Sequence, residues 1–320
     1  MEEIARNILI AKQYNKDEVR ALQNPLKTLI EHKIFSIDVH KRKVVYSKEL
    51  RCPKGYEQAL KELARKIELG EDINPFLSTS REKTDAKDPL LYDWNIHHLH
   101  LTRRYHSNGR PKRSSYLLFV RCTDSTMYFI QIYPHQSNPF VKGELQEIVA
   151  HNWPELLLPF PLDDGHLTEE VTDEVRAVLR KKHIISPIEI DGKIYFPSGG
   201  GYASDGSSVR AVREADSFWN QMKLLEIWIL QNQSIIRQEM LKFISKAHFS
   251  EALRFRLWKF SHAEISIFEI ENRVLMEYDL TRQVCGFIFL GMIPDIRFDN
   301  MYGKNAFPYW VEQVIGGLQA

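Results

Sequence analysis

The chain has 320 residues, of which 43% are hydrophobic and 27% charged, and this balance excludes an intrinsically disordered protein. The net charge of +1 excludes a uniformly basic surface, so binding to nucleic acid would need a local cluster of lysine and arginine. The cysteines Cys52, Cys122 and Cys285 lack the spacing of a zinc site, and no run is long and apolar enough to span a membrane. We therefore expect a cytoplasmic protein with no membrane partner, no cofactor and no metal.

The first half of the chain predicts helices that lead into a small antiparallel sheet. The strongest helical pattern is at residues 56–69, where apolar residues recur every three or four positions before Gly70, a residue type that favours a helix C-terminus. Weak alternation at residues 35–46 indicates a short hairpin. Alternating or β-branched runs predict strands at 94–101, 116–120 and 127–133, the last two as a hairpin, and then a helix at 143–152.

The second half predicts a separate mixed domain. The prolines between residues 158 and 165 indicate a boundary, so we expect an α+β fold with domains at 1–162 and 163–320. A helix at 169–182 precedes a hairpin that turns at Asp191-Gly192. The remaining expectations are a glycine-rich loop at 198–208, a strand at 209–212, helices at 217–247 and 254–260, strands at 265–289 and a helix after Pro308.

The histidines of residues 94–104 are the strongest functional signal. Because side chains alternate along a strand, His98 and His100 share a face with Ile96, and His97 shares the other face with Leu99. A basic loop follows, and Asp and Glu are absent from residues 95–123. Its cations are Arg103, Arg104, His106, Arg110, Lys112 and Arg113.

Histidine and arginine at this density favour chemistry on a phosphodiester. Cleavage of RNA by its own 2′-hydroxyl needs a base, an acid and a cation, and histidine titrates near neutral pH while arginine grips phosphate oxygens. His98, His100 and Arg103 are the candidate catalytic residues. Arg104, His106, Arg110, Lys112 and Arg113 are the candidate nucleic-acid-binding residues. The alternatives are a zinc site of His98, His100 and His135, or histidines that only form hydrogen bonds beside a solvated loop.

The stretches 116–121 and 128–135, which follow the helix at 56–69, resemble the RelE/ParE-type ribonuclease toxins. The resemblance covers about residues 56–152. It implies a small antiparallel sheet that cleaves mRNA without a metal, in a toxin or defence role. It also implies that Arg121 stabilises the phosphate and that Tyr133 or His135 acts near the scissile bond.

Two His-x-Thr triplets are similar to the paired motifs of two-histidine phosphoesterases. They are His100-Leu-Thr102 and His166-Leu-Thr168. This resemblance implies that the histidines act as acid and base while the threonines bind phosphate. Thr168 also suits the start of the following helix, where it would act as a cap.

Two further features favour a structural role over ligand binding. Gly201 and Gly206 have the spacing of a phosphate loop and precede Ser207 and Ser208, but the lysine of that motif is missing. A loop connection is favoured, with a backbone anion site as the alternative. The long helix at 217–247 suits a core position or a homodimer contact.

These features together predict a metal-independent endoribonuclease of toxin or defence type, with RNA or another phosphodiester as its partner. One alternative is a non-enzymatic regulator that binds RNA or a protein through the same strands. The other is a metal-dependent hydrolase.

Overall fold

The computed structural model describes residues 2–137, 139–159, 166–169, 171–242, 244–260, 264–279 and 284–289. Helices and strands are both abundant in this part of the chain, which confirms the α+β class. The helices are α1 (Glu2–Ala11), α2 (Lys16–Ala21), α3 (Pro25–Phe35), α4 (Glu57–Leu69), α5 (Pro89–Trp94), α6 (Glu144–Asn152), α7 (Asp173–Lys181), α8 (Val209–Gln231) and α9 (Gln233–Met240). The strands are β1 (Lys43–Tyr46), β2 (Ile96–His100), β3 (Tyr116–Cys122), β4 (Thr126–Pro134), β5 (Leu158–Pro159), β6 (Ile188–Ile190), β7 (Lys193–Phe196), β8 (Phe255–Phe260), β9 (Glu264–Glu269), β10 (Val274–Asp279) and β11 (Val284–Phe289).

The chain divides into two compact units, and the division differs from the one expected. The central unit is Ile30–Glu214, and the second unit combines the described parts of Met1–Leu29 and Ala215–Ala320. The boundary expected near residue 163 falls inside the central unit, where β5 pairs with β7 across that position.

The central unit contains a four-stranded sheet in the order β1-β4-β3-β2. The hairpin of β3 and β4 confirms its prediction, and β2 pairs antiparallel with β3 at the edge of the sheet. The hairpin expected at 35–46 is wrong, because Phe35 ends α3 and β1 pairs parallel with β4 instead. A parallel partner lies far away in sequence, so local alternation could not indicate it.

Each face of this sheet is covered by a different hydrophobic core. On one face Leu118 and Val120 pack with Leu60, Leu63 and Ile67 of α4, whose left-handed C-terminal residue is Gly70 as expected. The other face packs against α5, α6 and the hairpin of β6 and β7. Its buried side chains include Leu117, Phe119, Trp94, Leu145, Ile148, Ile188 and Tyr195. Burial of each large apolar side chain contributes roughly 1.5–3 kcal/mol, so these two cores hold β2 and β3 firmly in place.

The second unit contains an antiparallel sheet in the order β11-β10-β9-β8, which agrees with the strands expected at 265–289. The helix expected at 254–260 is wrong, because those residues form β8. The strand expected at 209–212 is also wrong, because α8 begins at Val209, and the long helix at 217–247 is split into α8 and α9. The helix expected after Pro308 lies outside the described residues. No helix in the described part of the chain is long and apolar enough to cross a membrane.

Candidate active site

A cavity of about 260 Å³ lies beside the edge strand β2 in the central unit, and we call it the β2 cavity. His97, His98 and His135 line it together with Asp88 and Lys87. His97 and His98 point to opposite faces of the sheet. Both still line the same cavity, and within the described part of the chain β2 is the edge strand of its sheet.

His98 lies opposite Phe119 in the sheet, and its ring is 5.1 Å from that of Phe140, measured between centroids. Its Nδ1 is 3.5 Å from a carboxylate oxygen of Asp88. The side chain of His98 is 14% exposed and that of Asp88 is 18% exposed. The pair is thus nearly buried but still opens into the cavity.

Asp88 was not predicted as a site residue, because it precedes the histidine strand and lies outside the stretch 95–123. In the structure it precedes Pro89, and one carboxylate oxygen accepts a hydrogen bond from the Leu91 amide at 3.1 Å, which caps α5. An aspartate directly before a proline is a recognisable sign of a helix start. That sign predicts the cap, although it could not show that His98 lies next to it.

His100 shares the sheet face of His98 but does not line the β2 cavity. Its Nδ1 accepts a hydrogen bond from the Ser114 amide at 3.3 Å, and its ring lies nearly parallel to that of His135 at 6.5 Å. Burial and then the proximity of His98 lower the pKa of His100 to about 4, while Arg113 and His135 act in the same direction and the Ser114 hydrogen bond opposes them. His100 is therefore a neutral imidazole near pH 7.

His97 is also neutral near pH 7. Burial is the main cause that lowers its pKa to about 3, followed by the proximity of His98 and of the guanidinium groups of Arg81, Arg42 and Arg210.

Lys87 and Arg81 supply the cations that line the β2 cavity. The ammonium group of Lys87 is 3.9 Å from Glu31 and its side chain is 37% exposed. The guanidinium group of Arg81 donates to the Asn74 carbonyl at 2.9 Å and is held against that turn. Lys87 is therefore the cation better placed to meet a ligand. Both residues precede the histidine strand and were not selected from the sequence.

Arg121 does not lie at the β2 cavity. It pairs with Ile96 in β2 and with Tyr128 in β4, two positions beyond Phe119, the residue that faces His98. The residue is 8% exposed, and burial lowers its pKa to about 10. The phosphate-stabilising role implied for Arg121 is therefore not supported by its position, because the hairpin carries it toward the opposite end of the strand from His100.

Tyr133 also lies outside the lining of the cavity. Its ring packs on Phe119 at 5.9 Å and the ammonium group of Lys142 lies 4.5 Å from the ring centre. Burial and then the nearby Glu144 raise the pKa of Tyr133 well above its usual value. A phenol with a raised pKa stays protonated near pH 7, so it is unsuited to act as a base there.

The basic loop of residues 103–113 is partly neutralised by neighbouring elements. Arg103 pairs with Glu62 of α4 at 2.9 Å, Arg110 pairs with Glu82, and Arg113 donates to the Thr79 hydroxyl at 2.8 Å. The absence of Asp and Glu within residues 95–123 therefore does not make the loop uniformly positive. Exposed side chains with no ion pair among the described residues are those of Arg104, His106 and Lys112.

The backbone amides at which an anion site was the alternative, those of Gly201, Gly206, Ser207 and Ser208, already donate hydrogen bonds within the chain. The amides of Gly201 and Gly206 donate to the carbonyls of Tyr92 and Ala203, at 2.9 and 2.8 Å. The amide of Ser207 donates to Asp205 at 2.9 Å, and that of Ser208 donates to the buried carboxylate of Glu31 at 3.1 Å. The loop thus binds carboxylates of its own chain and packs on α5.

The two His-x-Thr triplets have different surroundings. His166 donates a hydrogen bond from Nδ1 to the carboxylate of Glu189 of β6 at 2.8 Å and is largely exposed. His100 is buried and contacts Ser114 and His135. Because neither histidine shares a contact partner with the other, the paired acid and base of a two-histidine phosphoesterase are not supported.

Comparisons of the chain with protein-family models, with curated proteins and with solved structures find no match. The resemblance to the RelE/ParE-type toxins therefore stays a prediction. No group of three or more His, Cys, Asp or Glu side chains within the described ranges is placed to hold a metal ion.

Proposed function

We propose that the β2 cavity acts on RNA or another phosphodiester by metal-independent acid–base chemistry. The observation that carries the proposal is the pairing of His98 with Asp88 in a cavity that also presents His135 and Lys87. A histidine that contacts a carboxylate and opens into a cavity is the usual arrangement of a general base. A cation in the same cavity adds electrostatic stabilisation of the phosphate.

The proposed chemistry gives one role to each of three residues that line the cavity. His98 accepts the proton of the ribose 2′-hydroxyl, whose oxygen forms a bond to phosphorus. The bond from phosphorus to the 5′-oxygen breaks, and His135 gives a proton to that oxygen. The products are a 2′,3′-cyclic phosphate and a 5′-hydroxyl. Lys87 stabilises the charge that develops on the phosphate oxygens.

The basic loop extends the proposed site beyond the cavity. Arg110 and Arg113 attach the loop to Glu82 and Thr79, which border the cavity-lining residue Arg81. Arg104, His106 and Lys112 remain exposed on the loop. Exposed cations contact phosphates of any sequence, so this surface supports a chain substrate that extends past the reacting phosphate. A toxin or defence ribonuclease is the class of protein that this proposal favours.

Cleavage of a labelled RNA by the purified chain in the presence of a chelator tests the proposal. General acid–base catalysis contributes roughly 10²–10⁴-fold, so His98→Gln and His135→Ala should each lower the rate by about that factor. His151→Ala is the matched control, because His151 also pairs with an aspartate, Asp191, but is exposed and lies outside the cavity lining.

The outcome that overturns the proposal is a folded wild-type chain that does not cut RNA, or a His98→Gln variant that cuts at the wild-type rate. RNA that is bound and never cut would identify the non-enzymatic RNA-binding alternative. Activity that returns only when zinc is added would identify the metal-dependent one.

A further inference from the structure

We infer that Asp88 is a positioning residue that holds His98 in one tautomer, with the proton on Nδ1 and the lone pair of Nε2 directed away from Asp88. This role rests on the proposed function of His98 as the base. Asp88 was not among the site residues that the pattern of histidine and arginine predicts.

His98 Nδ1 faces the carboxylate of Asp88. This atom is buried and forms no hydrogen bond with any described residue, while the Asp88 oxygen is 3.5 Å away. A carboxylate can only accept a hydrogen bond. A proton on Nδ1 therefore gives the only favourable electrostatic contact, and separations in a ligand-free site commonly exceed those in the complex.

Asp88 is itself held in place at the start of α5. Its other oxygen accepts the Leu91 amide at 3.1 Å, so the carboxylate is fixed to the first turn of α5. This helix is buried from Leu90 to Trp94, and its Asp93 accepts hydrogen bonds from Arg180 and Tyr202, both at 2.9 Å. Asp88 thus stands on a helix that the surrounding unit anchors, which limits its movement relative to β2.

His100, on the same strand β2, differs from His98 in its hydrogen bond at Nδ1. Nδ1 of His100 accepts the Ser114 amide, so the proton of neutral His100 lies on Nε2. His98 and His100 stand on the same face but hold opposite tautomers. A neutral histidine with Nε2 protonated donates there, whereas His98 offers a lone pair at Nε2. Of these two histidines, His98 is therefore the one prepared to accept a proton from a ligand in the cavity.

Asp88→Asn separates the two roles of Asp88. Asparagine is as good a helix cap as aspartate, and its amide oxygen can still accept the Leu91 amide. Its NH₂ group then faces Nδ1 of His98 and donates to it, so the proton of neutral His98 must move to Nε2. Asp88→Ala is the companion variant, since it removes the cap as well as the carboxylate.

Ring ¹⁵N chemical shifts of the histidines, measured by NMR on the full chain without ligand at pH 8, test the inference directly. We expect His98 protonated on Nδ1 and His100 protonated on Nε2 in the wild type. Asp88→Asn should convert His98 to the Nε2 tautomer and leave His100 unchanged. A wild-type His98 protonated on Nε2, or a His98 signal that Asp88→Asn does not change, would overturn the inference.

Kinetics provide a second readout that a purely structural role would not produce. Asp88→Asn should lower kcat for RNA by roughly 10²-fold or more, as expected when a general base holds the wrong tautomer, and should leave KM and Tm nearly unchanged. A lowered Tm with unchanged kcat would show that Asp88 acts only as a cap. Because the NMR measurement needs no substrate, it can fail or succeed independently of the proposed ribonuclease activity.

Discussion

At the scale of single residues, the buried histidines His97 and His100 are both neutral near pH 7, but of the two only His97 lines the β2 cavity. The sequence placed His98 and His100 on one face of the strand as candidate catalytic residues. The structure gives these two residues different roles, because His100 is sealed by Ser114 and His135 while His98 opens to the cavity. Burial decides this difference, and burial depends on which elements cover β2.

The low pKa values of His97 and His100 predict a loss of stability in acid. In the unfolded chain both titrate near 6.5, but in the folded chain they titrate at about 3 and about 4. Between those values the unfolded state binds more protons, so the free energy of unfolding is retained above pH 6.5 and falls as the pH drops toward 4. Each histidine contributes up to about 1.4 kcal/mol per pH unit.

Urea unfolding at pH 7, 6 and 5 measures this effect. His100→Asn should give a shallower decline than the wild type, because the amide oxygen of asparagine can accept the Ser114 amide without titrating. His151→Ala, at an exposed site, should keep the wild-type decline. Parallel curves for the wild type and His100→Asn would contradict the assigned titration of His100.

The sequence could predict the face of each histidine but not its neighbours. Alternation correctly placed His98 on the face of Ile96 and Phe119, because a pleated strand has a fixed period of two. It could not show that β2 is an edge strand or that His97 lines the cavity as well. Asp88 and Lys87 come from a different segment, and Arg121 is carried away from the cavity by strand register. These placements depend on tertiary packing.

At the scale of elements, the glycine-rich loop and α5 form one tightly packed contact that supports Asp88. The Gly199 amide donates to the Asp93 carbonyl at 2.7 Å, and the Gly201 amide donates to the Tyr92 carbonyl at 2.9 Å. The loop therefore has a structural purpose, and the amides of Gly199 and Gly201 are already used in it.

Gly199→Ala should destabilise the protein strongly. A Cβ at this position would lie 2.6 Å from the Leu91 carbonyl oxygen and still closer to that of Tyr92, so backbone would have to move. We expect a loss of roughly 2 kcal/mol or more in the free energy of unfolding, since over-packing costs about 1–3 kcal/mol. Chemical denaturation measures it.

Gly200→Ala is the control, because a Cβ there meets no atom within 4 Å and carries only the cost of its positive φ. That cost is about 1–2 kcal/mol. If Gly199→Ala proves less destabilising than Gly200→Ala, the close packing of the loop on α5 is contradicted.

Elements with a strong periodic pattern were predicted well, and those without it were not. The helix α4 and the hairpin of β3 and β4 combine clear periodicity with suitable ending or turn residues. Residues 209–212 are β-branched in part and were expected to form a strand. They instead begin α8, because Ser208 is fixed by Glu31 and the following residues continue a 23-residue helix. Tertiary contacts here outweigh local propensity.

At the scale of the whole molecule, the net charge of +1 means that attraction of a nucleic acid must be local. The proposed site lies entirely in the central unit, where Lys87 and the exposed cations of the basic loop accompany the histidines. The expected division near residue 163 would have separated β5 from β7, its own sheet partner. Proline content alone could not show this long-range pairing.

The main step of the proposed function is the activation of a ribose 2′-hydroxyl by His98 in the β2 cavity, and removal of that hydroxyl from the substrate tests it. An RNA oligonucleotide and the same oligonucleotide with one 2′-deoxyribose at the cleaved position are incubated with the wild-type chain in chelator. We expect the wild-type chain to produce a 2′,3′-cyclic phosphate and a 5′-hydroxyl from the RNA, and to cleave at the deoxy position at a rate at least 10²-fold lower. Equal cleavage of both oligonucleotides, or no cleavage of either by the folded chain, would contradict it.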